Sequence, residues 1–269
     1  MSSIFIRLVQ MRKRIYYLRE EPIEIPEDEA HIWNFDMDKY LNQIDEFVDF
    51  LSNDELVRAS KFHFDRDKNW FIISRGLLRV FLNFYSTIPA KEIKLITNDF
   101  GKPSISLAND STKLQFNLSH SKNFLSIGFS NDNQIGVDVE LMKPLKNHLE
   151  IAKRFFSTSE VEQLISFPAD KILDGFYSCW TAKEAVIKLS SEGLSFPLKE
   201  FDVELKVLNP GESSLYKVNL KKLSADLSIE VCRLNKKLYS ACAVSNVNTA
   251  FIHCYFDEHD LLYSSLIRK

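Results

Sequence analysis

The sequence predicts an α+β fold of two similar-sized halves, each an antiparallel sheet packed with a long helix. Three observations carry this. The chain has 269 residues, enough for one large domain or two small ones. Its periodicity runs from helices to strands, then from helices to strands again, the segregated order of an α+β protein. Its strand-like runs are separated by short turns, which favours antiparallel neighbours. The halves meet near residue 131, giving an N-terminal extension at 1–28, one half at 29–131 and the other at 132–269.

Composition bounds the rest. Hydrophobic residues make up 45% and charged residues 26%, which excludes disorder over most of the chain, and 21 Phe supply apolar volume for a core. A net charge of −3 gives no reason to expect nucleic acid. No apolar run approaches the roughly 18 residues of a membrane span. Arg12, Lys13 and Arg14 follow the short N-terminal apolar stretch, the reverse of the order in a secretory signal. The chain therefore reads as cytoplasmic, with no membrane partner. Cys179, Cys232, Cys242 and Cys254 sit in apolar runs without C-x-x-C spacing and read as buried thiols.

In chain order, residues 19–30 are acidic and hold two prolines, the pattern of a linker, and a strand follows at 30–35. Ser52 and Glu55 form a capping box before a short helix. A longer helix covers 65–85, with Phe71, Ile72, Leu78 and Phe81 inward and Arg75 and Arg79 on one stripe. Leu114, Phe116 and Leu118 alternate with polar residues; 124–130 is a second apolar run and 134–141 a third, and the three read as antiparallel neighbours. In the second half Ser157 and Glu160 form another capping box. A helix runs from Pro168 to Ser190, and strands follow near 201–208, 215–220, 228–233, 237–244 and 250–256.

Five features could carry chemistry. In Gly136-Val-Asp138-Val-Glu140 the two acids project from one face of a strand, about 6.5 Å apart, and can close on one hard cation; a solvated edge strand is the plainer reading. On a helix Trp180, Glu184 and Lys188 share a face; a simple Glu–Lys pair would look the same. Ser119 and His120 end a strand and offer donors to an anion; no G-x-S-x-G elbow makes Ser119 a hydrolase nucleophile. Asp99-Phe-Gly-Lys-Pro103 is a turn that presents Lys102 as a mobile cation suited to phosphate. Lys61, Arg66, Lys68, Arg75 and Arg79 form a basic cluster, either a solvated face or a local site for an anion.

Together these segments resemble the 4′-phosphopantetheinyl transferases, in their larger, two-halved, monomeric type. The family pattern G-[VI]-D-x-E followed some 40 residues later by [FW]-x-x-K-E-[AS]-x-x-K is matched by Gly136–Glu140 and Trp180-Thr-Ala-Lys183-Glu184-Ala-Val-Ile-Lys188. Asn117-Leu-Ser-His120, the Gly101-Lys-Pro103 turn and Arg66 in Phe62-His-Phe-Asp-Arg66-Asp resemble further family segments, in the same order, from Ala30 to Val244. The resemblance implies a pseudo-dimer of two α+β halves with coenzyme A in the cleft between them. It implies transfer of the phosphopantetheine arm to a serine of an apo acyl or peptidyl carrier protein, with release of adenosine 3′,5′-bisphosphate and with Mg²⁺ as the metal. Asp138, Glu140 and Glu184 would hold the metal; Glu184, Lys188 and Asp138 would be catalytic. Arg66, Thr97, Asn98, Asp99, Phe100, Gly101, Lys102, Asn117, Leu118, Ser119 and His120, with Asp138, Glu184 and Lys188, would contact coenzyme A. The serine proton has two possible acceptors, Glu184 and a water on the metal. Fatty-acid, polyketide, peptide-synthetase and lysine-pathway carriers all fit, and Leu141–Lys146 is a candidate dock or a plain connector. A magnesium-dependent phosphohydrolase would use the same acids with water as acceptor. A non-catalytic carrier-binding relative would be expected to lack an acid or the lysine, and all are present.

Overall fold

The structure is a computed structural model and describes residues 6–10, 12–16, 22–86, 88–106, 113–223 and 225–256. In chain order these form β1 (Ile6–Gln10), β2 (Arg12–Tyr16), β3 (Glu29–Asp36), α1 (Ile44–Val48), α2 (Asn53–Ala59), α3 (Asp65–Tyr85), β4 (Leu95–Thr97) and β5 (Pro103–Ile105). There follow β6 (Leu114–Ser121), β7 (Phe124–Asn131), β8 (Ile135–Leu141), α4 (His148–Phe155), α5 (Thr158–Ser166), α6 (Ile172–Ser190), β9 (Glu212–Leu220), β10 (Ala225–Asn235), β11 (Leu238–Val244) and β12 (Ala250–Phe256). Two five-stranded sheets result, ordered β2-β12-β3-β7-β6 and β1-β9-β10-β11-β8, with β4-β5 as a separate hairpin. No helix among the described residues is long and apolar enough to cross a membrane.

Local chemistry sets the helix starts. In both α2 and α5 the capping serine (Ser52, Ser157) accepts from the backbone of the glutamate three residues on, whose carboxylate returns a bond to the serine N–H. The long α3 then lays its apolar stripe on the first sheet. Phe81 packs between Trp33 and Phe35 of β3, with ring centroids 4.4 and 5.2 Å away. Each such fully buried side chain stabilises the fold by about 1.5–3 kcal/mol. In the second half Ala182, Ala185, Val186 and Leu189 of α6 share a core with Ile229, Val231, Ala241 and Ala243. Strand alternation sends the other sides of the two sheets against each other, where Ala30, Ile32, Ile135, Val137, Cys242, Val244 and Phe251 form a third, smaller core. The layers therefore run α3, first sheet, second sheet, α6. All four cysteines are buried and free, as expected.

The structure departs from the sequence reading in four places. The run at 134–141 is not a neighbour of 124–130 in one sheet. After a three-residue turn β8 leaves the first sheet and pairs antiparallel with β11, from Ile135 opposite Val244 to Leu141 opposite Leu238. It crosses the face of β7, where Gly128 leaves room; a Cβ there would meet Val137 Cγ1 at 2.5 Å. Second, the first sheet is mixed rather than antiparallel, because β12 returns from the far end of the sequence and enters between β2 and β3, parallel to both. Third, residues 201–208 make no strand. Their amides go to α5 side chains instead, Val203 N–H to Glu160 Oε1 at 2.7 Å and Leu205 N–H to Gln163 Oε1 at 3.1 Å. Fourth, Pro168 opens a turn and α6 begins at Ile172. Within the segment the sequence sets apart as an extension, β1 and β2 are outer strands of the two sheets.

Helix α6 lies directly on β8, and Gly136 is what lets it. A Cβ at that position would meet Ala185 O at 2.1 Å and Leu189 N at 2.3 Å, both backbone atoms of a helix that cannot give locally. Gly136→Ala is therefore expected to lower unfolding free energy by about 3 kcal/mol or more, the upper end for overpacking. Urea unfolding of the variant beside the parent measures this, and a loss near zero would mean that α6 does not sit on the strand.

Candidate active site

Asp138 and Glu140 follow Gly136 at two-residue steps, so both face α6. The close helix–strand approach brings Glu184 and Lys188, one turn apart on α6, over them. Lys188 Nζ lies 2.6 Å from Asp138 Oδ1 and donates to Ser119 Oγ at 2.6 Å. Ser119 in turn donates to Asp138 Oδ1 at 2.9 Å, and Ser121 donates to Glu140 Oε2 at 2.9 Å. Asp138 is buried, and its second oxygen, Oδ2, has no hydrogen-bond partner among the described residues.

The electrostatics are those of too many acids for one lysine. Burial raises the Glu140 carboxyl, and the charge of Asp138 raises it further. Glu184 is pushed up to about 7, first by burial and then by Asp138, with Glu140 adding to it and Lys188 opposing. Three neighbouring carboxylates, one with an orphaned buried oxygen, offer the donor type that a hard, oxygen-seeking divalent cation takes. Asp138, Glu140 and Glu184 fit such an ion by donor chemistry, though their oxygens are not all gathered within 4.8 Å of one another.

A cleft of about 290 Å³ leads up to this cluster, lined from both halves. Arg58, Phe71, Ser74 and Arg75 line it together with Phe100 to Pro103, Asn117, Leu118, His120, Lys188 and Gly193. The Arg58 and Arg75 guanidinium carbons sit 5.4 and 5.6 Å from the Phe71 ring centre. His120 stands on the open rim, yet loss of water in the cleft, then the charges of Lys188 and Arg75, lower its pKa and favour neutral imidazole. Lys102 Nζ donates to Ile135 O at 3.0 Å and Leu189 O at 3.3 Å, so the β4-β5 hairpin is clipped to the second half; burial brings its pKa down to about 8.

The expected residues divide accordingly. Phe100, Gly101, Lys102, Asn117, Leu118, His120 and Lys188 line the cleft; Asp138, Glu140, Glu184 and Ser119 lie outside the lining, joined to it through Lys188, which binds Asp138 and Ser119. Thr97, Asn98 and Asp99 are exposed on the hairpin, outside the lining; Asn98 Oδ1 shapes the turn by accepting from the Phe100 and Lys102 amides. Arg66 is also outside it, 64% exposed, paired with Asp67 and lying over the Trp70 ring. Trp180 packs against Phe155 and Phe176 rather than facing a ligand. Of the basic cluster only Arg75 reaches the cleft, since Arg79 is buried on Glu55 and the carbonyls of Ala90 and Ile93. Arg58 was not singled out by sequence, because it meets Phe71 and Arg75 only through the packing of α2 on α3.

Lys183, next to Glu184 in sequence, points the other way. Its ammonium is fully buried, 2.8 Å from Glu160 Oε2 and 2.6 Å from the carbonyls of both Leu198 and Phe201. The pair ties α6 to α5 and to the segment after Gly193. Lys183→Met leaves Glu160 as an unpaired buried charge and is expected to cost about 3–5 kcal/mol, part of it recovered in the double variant Glu160→Gln/Lys183→Met, which removes the charge and keeps an acceptor for the Val203 and Ser157 amides. Denaturant unfolding of both variants checks this; equal losses would show that the pair is not the strut described.

Two family models match the chain. The model described as 4′-phosphopantetheinyl transferase superfamily covers residues 134–251, and that described as 4′-phosphopantetheinyl transferase, N-terminal, covers 37–130. Among similar proteins, the 4′-phosphopantetheinyl transferase HetI of Nostoc sp. is 34% identical over 69% of this chain and 78% of its own length. The 4′-phosphopantetheinyl transferase Sfp of Bacillus subtilis is 34% identical over 65% of this chain and 76% of its own. The human L-aminoadipate-semialdehyde dehydrogenase-phosphopantetheinyl transferase is 29% identical over 72% of this chain and 66% of its own.

Proposed function

This chain belongs to the 4′-phosphopantetheinyl transferase superfamily, and on that premise we propose that it is a Mg²⁺-dependent enzyme acting on coenzyme A. It transfers the phosphopantetheine arm to a serine hydroxyl of an apo carrier protein, acyl or peptidyl, and releases adenosine 3′,5′-bisphosphate. The observation that carries this reading is the acid–lysine cluster of Asp138, Glu140, Glu184 and Lys188, whose lysine also lines a cationic cleft shared by both halves.

The chemistry follows from these residues. Serine oxygen attacks the phosphorus that carries the pantetheine arm, the bond to the nucleotide phosphate breaks, and the serine proton must leave. Little covalent work is needed, so alignment and charge neutralisation dominate. Arg58, Arg75, Lys102 and His120 hold the nucleotide phosphates. Lys188 places a point charge on the pyrophosphate. Glu184, whose carboxyl pKa is raised by burial and by the charge of Asp138 in the metal-free chain, is the side chain placed to accept the serine proton. A magnesium ion held by Asp138, Glu140 and Glu184 would neutralise charge on the pyrophosphate when bound. The carrier meets this cluster, where Lys143 and Lys146 stand exposed just beyond β8.

Incubating apo carriers with coenzyme A, Mg²⁺ and the protein, then reading intact mass, tests the reading. A gain of one phosphopantetheine per carrier is expected; coenzyme A cleavage without carrier modification would indicate a hydrolase instead. Asp138→Asn preserves shape and is expected to lower transfer by at least about 10²-fold while the chain stays folded. Near-normal turnover would remove Asp138 from the chemistry. In steady-state titrations Arg58→Ala should raise the KM for coenzyme A by about tenfold or more, the value of a charge-assisted hydrogen bond, while Arg66→Ala changes it little. The opposite ranking would return the nucleotide to Arg66.

A further inference from the structure

A second cluster of ligand-type side chains lies on the other face of the same sheet. Strand β10 sends Ile229 and Val231 into the α6 core and Glu230 and Cys232 toward the first sheet. His253 on β12 meets them from across the joint. All three are almost fully buried, at 6%, 1% and 0% exposure. Glu230 Oε2 and His253 Nε2 are 2.9 Å apart, Cys232 Sγ and His253 Nε2 are 3.7 Å apart, and the three ligand atoms all lie within 4.8 Å of one another. Ser213 donates to the other Glu230 oxygen at 2.9 Å and so fixes the carboxylate's orientation.

We propose that Glu230, Cys232 and His253 form a binding site for one divalent transition-metal ion of the zinc class, which ties the second sheet to the first. The donor set is sulfur, imidazole nitrogen and carboxylate oxygen, which suits a borderline-soft ion and not magnesium. The sulfur–nitrogen separation is close to the roughly 3.5 Å edge of a tetrahedron with zinc–sulfur near 2.3 Å and zinc–nitrogen near 2.0 Å. Thiolate, carboxylate and neutral imidazole sum to two negative charges, so a divalent ion leaves the buried site neutral, where an uncompensated charge would be costly. Ser213 already supplies the outer hydrogen bond that such ligands use to hold their orientation. The site is separate from the acid cluster, because Asp138 and Glu140 face α6 while the β8 residues aligned with Cys232 and Glu230 through β11 are Val139 and Val137. It does not depend on the reaction proposed above.

The test uses the full chain without a histidine tag, stripped with chelator and dialysed against Zn²⁺ alone. Elemental analysis should find one zinc per chain after removal of free ion, with a raised melting temperature, since an ion bound only to the folded state stabilises it. Loading with Co²⁺ should give a sulfur-to-metal charge-transfer band. Cys232→Ser, which retains the packing, should abolish that band and weaken zinc binding by more than about tenfold, while Asp138→Asn leaves the sulfur-to-metal band unchanged. Folded parent protein that retains no zinc would leave Glu230 and His253 as a plain buried hydrogen bond and overturn the proposal. So would a Cys232→Ser variant that binds zinc as tightly as the parent. Should Cys232→Ser fail to fold, Cys232→Ala is read in the same assays.

Discussion

Two sheet edges meet in this protein, and three short side chains on β6 join them. Asn117, Ser119 and Ser121 stand two residues apart and so face one way. Asn117 accepts from Val137 N–H, Ser119 donates to Asp138, and Ser121 donates to Glu140 while accepting from Leu141 N–H. A buried strand edge must satisfy its backbone groups somewhere. Here the partner strand's side chains do it, where a continuous sheet would use its backbone. Because side chains bridge the two edges, the acids of β8 acquire hydrogen-bonding neighbours on β6. Had β8 simply extended the first sheet, Asp138 and Glu140 would not lie under α6.

The second constraint is the contact between α6 and β8. Gly136 removes the side chain that would separate them, so the backbone of one turn of α6 rests on the strand and Glu184 and Lys188 fall into place. The buried Glu160–Lys183 pair anchors the same helix from its opposite side. The charged groups of the site thus project from a strand and a helix that are both held by packing, which keeps their geometry within narrow limits. That rigidity has an electrostatic cost. Glu184 is pushed up to about 7 because burial and two neighbouring acids crowd it, and Lys188 offsets only part of that.

Most elements were legible because their signals are local. The two capping boxes start α2 and α5 as their spacing implies, and period-two alternation locates β6, β7 and β8. The same alternation puts Asp138 and Glu140 on one face. What sequence did not disclose is set by partners distant in the chain. Strand β8 has the hydrophobic pattern of a neighbour of β7 and joins β11 instead, and no local feature says so. The run 201–208 alternates like a strand but spends its amides on Glu160 and Gln163. Arg66 sits in a suggestive motif and stays on the surface, whereas Arg58 enters the cleft only because α2 packs on α3. Lys102 reads as a free cation and is bound to two carbonyls of the other half.

These tertiary dependences share one cause. The cleft takes its arginines from α2 and α3, Lys102 from the β4-β5 hairpin and Lys188 from α6, so its charge pattern exists only while the two sheets are docked. Their apolar contact is smaller than the core of either half. Apolar contact is non-directional, and a small patch tolerates sliding. Polar pairs do not, since each is lost over a fraction of an ångström and leaves a buried group unsatisfied. The joint is rich in such pairs: the β6–β8 seam, the Lys102 clip and the Glu230–His253 contact. Their contribution is to fix one relative position of the halves more than to add stability, and that position is what aligns the cleft's cations with the acids beside Lys188.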